Sequence, residues 1–266
     1  MKFPIGFTFP GSEKTPLEAQ PLKSKAPVKS LVQIRFPAMK QLLTYFNDQF
    51  DLKPGDFVFV SGKMEGIQGI VCQVSKNFKI KVADYQKVIS VADTDVSGRF
   101  HMAGSHFVTF DGTVLPNEKV RTWFLPPAKP EEEYETGNDG HTFLLENLEN
   151  MNVSPAIWER GREYYLENRV HYVSLYDGHG MAIVEGEHIY EVEFDCQNGQ
   201  ISNLYCDCPC GYTCKHAVAA MMQLKETLDM IGNHYADLCS GYFAAVLKVD
   251  LFRFAVDSRI TGSFIL

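Results

Sequence analysis

Four cysteines and a histidine fall within Cys206-Asp207-Cys208-Pro209-Cys210-Gly211-Tyr212-Thr213-Cys214-Lys215-His216. The spacing is Cys-x-Cys, a gap, then Cys-x-His, running into the apolar stretch Ala217-Val218-Ala219-Ala220-Met221-Met222. Zn²⁺ takes four tetrahedral sulfur or nitrogen ligands, at about 2.3 Å for sulfur and about 2.0–2.1 Å for imidazole. Two ligands from a strand end and two from a helix start can surround one ion. Four protein ligands also close the site, whereas a catalytic zinc keeps one position for water, so the expected metal is structural. Cys210 is a fifth donor, and on the residues alone it competes with Cys214 for the third sulfur position. Redox pairing of Cys208/Cys210 or Cys210/Cys214 is the competing chemistry, because thiolates at helix N-termini are activated. Against it, Cys-x-Cys closes a very short loop with demanding disulfide geometry. Thiols that simply pack are common singly but do not account for a cluster.

The rest of the composition is that of an ordinary globular protein, with 45% hydrophobic and 12% aromatic residues in 266, enough for one or two domains. Seven cysteines, an odd number clustered at ligand spacing, fit a reducing compartment better than a disulfide scaffold. No apolar run approaches the roughly 18 residues of a membrane span, and Met1-Lys2-Phe3-Pro4-Ile5-Gly6 opens no apolar leader. The expectation is a soluble cytoplasmic protein with no membrane partner. Its net charge of −8 is unevenly spread. Residues 1–130 carry 17 Lys+Arg and 11 Asp+Glu, a balance of +6, and residues 131–266 carry 8 and 22, a balance of −14. The acidic zinc half is poorly suited to phosphate attraction, and charge also serves solubility.

Along the chain, prolines and lysines alternate over residues 1–30, as in an extended basic arm. Leu31–Phe36 alternates like a strand, and Met39, Leu42, Leu43, Phe46 and Phe50 fall at helical spacing. Short strands are then predicted at Phe57–Val60, Ile67–Val74, Phe78–Val82, Val88–Val91, Phe107–Phe110 and Arg121–Leu125. The segment from Pro54-Gly55-Asp56 to Gly69-Ile70-Val71 resembles the KOW-type and related SH3-like small barrels of translation and transcription proteins, while its glycines also read as plain hairpin turns. His101 and His106, with no carboxylate or thiol nearby in sequence, read as loop and packing residues. Glu131-Glu132-Glu133-Tyr134-Glu135 and Gly137-Asn138-Asp139-Gly140 have the composition of a solvated linker. The expected division is a β-rich domain over 1–130, a linker over 131–150, a zinc domain over 151–232 and a helical extension over 233–266.

The zinc domain is the most legible part. Ser154 and Pro155 are an N-cap and a first helical residue, and Asn168 a stop. A meander follows through Val170–Tyr176, Met181–Val184, His188–Phe194 and Gln200–Tyr205, with Asp177-Gly178 and Asn198-Gly199 as turns. A second helix opens at Lys215-His216, and further helices are predicted over Leu238–Val249 and Leu251–Val256. The cysteine–histidine spacing, with Cys-Pro after the first pair, Cys-Lys-His at the second, and Arg160-Gly161 and Tyr164 upstream, resembles a SWIM zinc finger from Trp158 to about Leu228. That resemblance implies Cys206, Cys208, Cys214 and His216 as ligands and leaves Cys210 out. Lys215 and the helix N-terminus would offset the roughly −1 charge of three thiolates on Zn²⁺. Such modules occur in transposases, recombination factors and helicase-associated bacterial proteins and are taken to bind DNA or protein. The implied fold class is α+β: a β-rich domain of small-barrel type, then helix, meander, zinc site and helix. The implied function is a non-enzymatic adaptor for DNA, RNA or protein, with a thiol-based redox sensor that releases zinc as the alternative. No phosphate-binding Gly loop, nucleophile elbow or His-Glu-x-x-His signature argues for an enzyme.

Overall fold

A computed structural model describes residues 29–37, 39, 41–128, 137–255 and 261–265. The chain is mixed α+β and divides into two compact units, residues 1–91 and 92–266. Most of the basic arm, including Lys23 and Lys25, and the acidic run Glu131–Glu135 lie outside the described residues. Among the described residues no helix is long and apolar enough to cross a membrane.

The first unit contains β1 (Ser30–Arg35), β2 (Leu42–Asn47), β3 (Phe57–Val60), β4 (Gly69–Ser75) and β5 (Val88–Val91). They pair antiparallel in the order β2-β1-β4-β3-β5. The two edges then meet: the Phe46 amide donates to the Gln86 carbonyl at 2.9 Å, and Phe46 and Lys87 form a parallel bridge. Closing a sheet on itself removes exposed edges, and the result is a small barrel. Val32, Ile34, Phe36, Tyr45, Val58, Val60, Val71 and Val88 fill its interior. The helix predicted over 39–50 is instead β2, with Leu42 opposite Arg35 and Asn47 opposite Ser30. Thr44-Tyr45-Phe46 favours a pleated surface, and the Asn47 side chain seals the turn by donating to Ser30 Oγ and the Phe50 carbonyl and accepting from the Phe50 amide. The strand predicted at Phe78–Val82 is open chain running into a 3₁₀ turn at Val82–Asp84.

The second unit is built on β6 (Ser97–Ala103), β7 (His106–Thr109), α1 (Asn117–Phe124), β8 (Phe143–Leu144), α2 (Pro155–Leu166), β9 (Val170–Tyr176), β10 (His179–Glu185), β11 (Ile189–Gln197), β12 (Gln200–Cys206), α3 (Lys215–His234), β13 (Tyr242–Leu247), α4 (Lys248–Ala255) and β14 (Thr261–Ile265). Its nine strands run β14-β6-β7-β13-β9-β10-β11-β12-β8, antiparallel except for β14 beside β6. The meander turns carry positive φ at Asp177 and Gly178 and at Asn198 and Gly199, as two-residue hairpins of right-handed twist require. On one face α3 buries Val218, Met221 and Leu224 among Val173, Ala182, Val192 and Phe194. Strand alternation turns Tyr172 and Ser174 to the other face, where both bond Asn117 at the start of α1, and Tyr172 also bonds the Leu115 carbonyl. Trp123 of α1 packs there against Phe254 of α4, the rings tilted and their centres 5.0 Å apart.

This sheet revises the expected division of the chain. Strands β6 and β7 belong beside β13, so the boundary lies at 91/92 and not at 130. Charge composition does not distinguish the two positions, because residues 92–130 carry four Lys+Arg and four Asp+Glu. The units therefore keep balances of +6 and −14. The end of the expected linker is core: Phe143 pairs with Ile201, and Phe143, Leu145, Leu148 and Met151 are buried. Arg121–Leu125 is not a strand, because Val120, Trp123 and Phe124 bury one face of helix α1. Tyr242–Leu247, predicted helical, is a central strand nearly buried on both faces, a short apolar run whose period does not separate helix from strand. His101 and His106 are packing residues, but on strands: His106 is fully buried, its Nε2 2.8 Å from the Val170 carbonyl, and burial holds it down to about 4.

Candidate metal centre

The ligand segment is held at both ends. Strand β12 ends on Cys206, which pairs with Val192 of β11. Pairing continues one residue further, because the Asp207 amide donates to the Glu191 carbonyl and Asp207 Oδ1 accepts from the Glu191 amide at 2.9 Å. Glu191 is itself gripped by Arg121 of α1. This fixes the turn between Cys206 and Cys208, and partial burial pushes the Asp207 carboxyl up to about 6. At the other end Cys214 is the N-cap of α3, with extended backbone, and His216 lies in the first turn. Helix α3 is set in place by α2, whose Ser154 cap accepts from the Ile157 amide. The two helices approach closely at Gly161, where a Cβ would stand 2.4 Å from Val218 Cβ and 2.9 Å from the Lys215 carbonyl.

One ligand atom from each of Cys206, Cys208, Cys214 and His216 lies within 4.8 Å of every other. His216 Nδ1 is 3.6 Å from Cys214 Sγ and 3.8 Å from Cys206 Sγ. Tetrahedral angles at the usual zinc bond lengths put sulfur and nitrogen about 3.6 Å apart, so His216 Nδ1 already stands from both sulfurs at nearly the separation one ion requires. Cys208, Cys214 and His216 are buried, and Cys206 is half-buried. Cys210 and Cys72 are exposed, Cys196 is buried and Cys239 half-buried, and all four lie outside the group. Lys215 lies over the Tyr164 ring at 4.8 Å, with Arg169 over the same ring at 4.5 Å. Sequence reasoning missed Asp207 and also Tyr190, which stacks on the His216 ring at 4.4 Å between centres. The alternation of Tyr190 with Val192 is readable, but their place beside the ligands depends on the register of β11 against β12.

The three thiols share charge unequally. Hydrogen bonding from Cys206 does most to hold Cys214 down to about 4, His216 helps, and burial opposes. The same contact, then burial, raises Cys206, while burial pushes Cys208 up to about 12. The shared contact favours the thiolate at Cys214, and Cys206 and Cys208 are the sulfurs whose protons zinc must displace. Zinc-derived stability is therefore present at high pH and lost as pH falls. Between pH 8 and 6 the apparent zinc affinity should drop steeply, by up to about 100-fold per pH unit, the limit for two released protons. Competition with a chromophoric chelator at several pH values checks this, and a flat profile would contradict the assignment.

Residues 190–225 match the SWIM zinc finger family. An uncharacterized protein of Methanocaldococcus jannaschii is 39% identical over 87 residues, covering 33% of this chain. That stretch is 34% of the other protein, so the chain spans about a third of the length of the curated relative it matches. No solved structure matches. The matched segment takes in the end of the meander, all four clustered ligands and the first half of α3: the chain carries a SWIM zinc finger, with its Cys/His cluster positioned for zinc.

Proposed function

We propose that the chain is a non-enzymatic adaptor of the cytoplasm, in which zinc holds a binding domain together and the partner is a nucleic acid or a protein. The observation that carries this is the closed ligand set: four protein donors, three of them buried, surround one point at the seam between β12 and α3. Such a centre offers no open position for a substrate or an activated water. The division of charge supports separate surfaces. In the first unit Lys63, Lys79 and Lys81 are exposed and make no ion pair among the described residues, suiting them to phosphate. The acidic second unit suits a basic protein surface better.

The test is binding of the full chain to labelled duplex DNA and single-stranded RNA as salt is varied. Nucleic-acid binding predicts a Kd on the order of 1–100 µM at physiological salt and tighter binding at low salt, with steep weakening between because each neutralised phosphate releases counterions. Replacing Lys63, Lys79 and Lys81 by Ala should then lower the log–log slope on duplex DNA by about 0.9 for each phosphate left without its lysine. Replacing Lys23, Lys25 and Lys29 tests the basic arm in the same way. No binding at low salt leaves the protein-adaptor reading. The redox alternative rests on the exposed thiol of Cys210 inside the ligand loop. It predicts zinc release with oxidation of two thiols under mild peroxide, in amounts that Cys210→Ser reduces.

A further inference from the structure

The His216 imidazole has two nitrogens, and the structure treats them differently. Nδ1 faces the sulfurs, whereas Nε2 is buried and has no hydrogen-bond partner among the described residues. Metal-bound histidines ordinarily hold their orientation through a bond from the second nitrogen. Here something else must hold the ring. The candidate is the turn between β10 and β11, where Glu185 pairs with Ile189 and the Gly186 amide bonds the His188 carbonyl at 2.7 Å. A Cβ on Gly186 would lie 2.5 Å from His216 Nε2 and 2.8 Å from Tyr190 Cε2. Tyr190 stacks on one side of the ring, and Tyr164 is tilted against it at 5.6 Å. Gly186 is not among the residues of positive φ, so its backbone does not need glycine; the space does.

We propose that the β10–β11 turn is the outer wall of the zinc site and that Gly186 is a positioning residue for His216. Backbone packed directly on the Nε2 edge leaves the imidazole one seat, with Nδ1 turned to the metal and no room for water beside it. Any side chain at 186 pushes the ring off that seat and opens the fourth coordination position. This concerns how the metal is held and is independent of what the adaptor binds.

The experiment loads the full chain with Co²⁺, whose visible spectrum reports coordination number and the sulfur–nitrogen donor set. Wild type should show tetrahedral bands of a three-sulfur, one-nitrogen site. Gly186→Ala should weaken Co²⁺ and Zn²⁺ binding at least tenfold and shift the bands towards a site that has lost its nitrogen. Gly211→Ala lies in the ligand loop with nothing within 4 Å of its Cβ, and should do neither. His216→Cys supplies a smaller ligand with no ring to displace, so adding Gly186→Ala to it should cost less than twofold. That background also covers misfolding, since an alanine that unfolds the wild type through His216 should be tolerated there. An unchanged spectrum and affinity in Gly186→Ala, or an equal weakening in both backgrounds, would overturn the proposal.

Discussion

Cys214→Ser is expected to yield a chain without bound zinc, with the segment from about residue 200 to 220 unfolded, while Cys210→Ser retains one zinc and the native fold. Cys214 is both the N-cap residue of α3 and one of the buried donors clustered with Cys206 and His216. The Cys214 side chain makes no capping bond, so serine costs the helix nothing there and removes only the soft thiolate. Zinc binding to such ligand sets is coupled to folding, with apparent energies on the order of 10–16 kcal/mol in finger peptides. Whole domains are stable by only about 5–15 kcal/mol, so even part of that loss is decisive. Cys210, exposed and outside the cluster, has no comparable role in holding the metal. Metal content by atomic absorption and hydrogen exchange across β12 and α3 measure the outcome. Zinc retained in Cys214→Ser but absent from Cys210→Ser would reverse the third-sulfur assignment.

A fragment of residues 92–266 is expected to fold alone, and one of residues 131–266 is not. The shorter piece lacks β6, β7 and α1, and with them the fully buried Val108, Leu115, Val120, Trp123 and nearly buried Phe100 and Phe107. At about 1.5–3 kcal/mol per large apolar side chain, the six together match or exceed the stability of a typical domain. It also leaves the β13 edge bare and removes the partners of the Tyr172 hydroxyl. Thermal melts followed by circular dichroism, with and without zinc, distinguish the two. A cooperative melt from 131–266 equal to that of 92–266 would restore a boundary near 130.

What can be read from the sequence follows the range of the forces involved. The cap at Ser154, the Asp177-Gly178 and Asn198-Gly199 turns and the ligand spacing are local chemistry, each settled within a few residues, and the structure has all of them in place. Strand β2 is masked by a chance helical spacing of Leu42, Leu43 and Phe46, because closure against Gln86 and Lys87 acts across some forty residues. The apolar run of β13 reads equally as helix until β7 and β9 flank it. Acidic composition suggests an exposed linker up to residue 150, yet Phe143, Leu145 and Leu148 are core residues in a stretch too short to show a period. Tyr190 and Gly186 escape a sequence reading because neither is a metal donor; their importance comes from which strand end faces the His216 ring.

The position of β13 between β7 and β9 sets the order in which this unit can be finished. During synthesis β9 to β12, the cysteines and α3 all leave the ribosome before β13 does. Until it arrives, β7 and β9 each present an open edge towards the gap it will fill, and such edges invite pairing with other chains. The zinc ligands, gathered from a short stretch, can assemble meanwhile, since nearby contacts form sooner than distant ones. The order of synthesis thus allows metal capture before the sheet is complete, so the open edges of β7 and β9 can outlast the assembly of the finger.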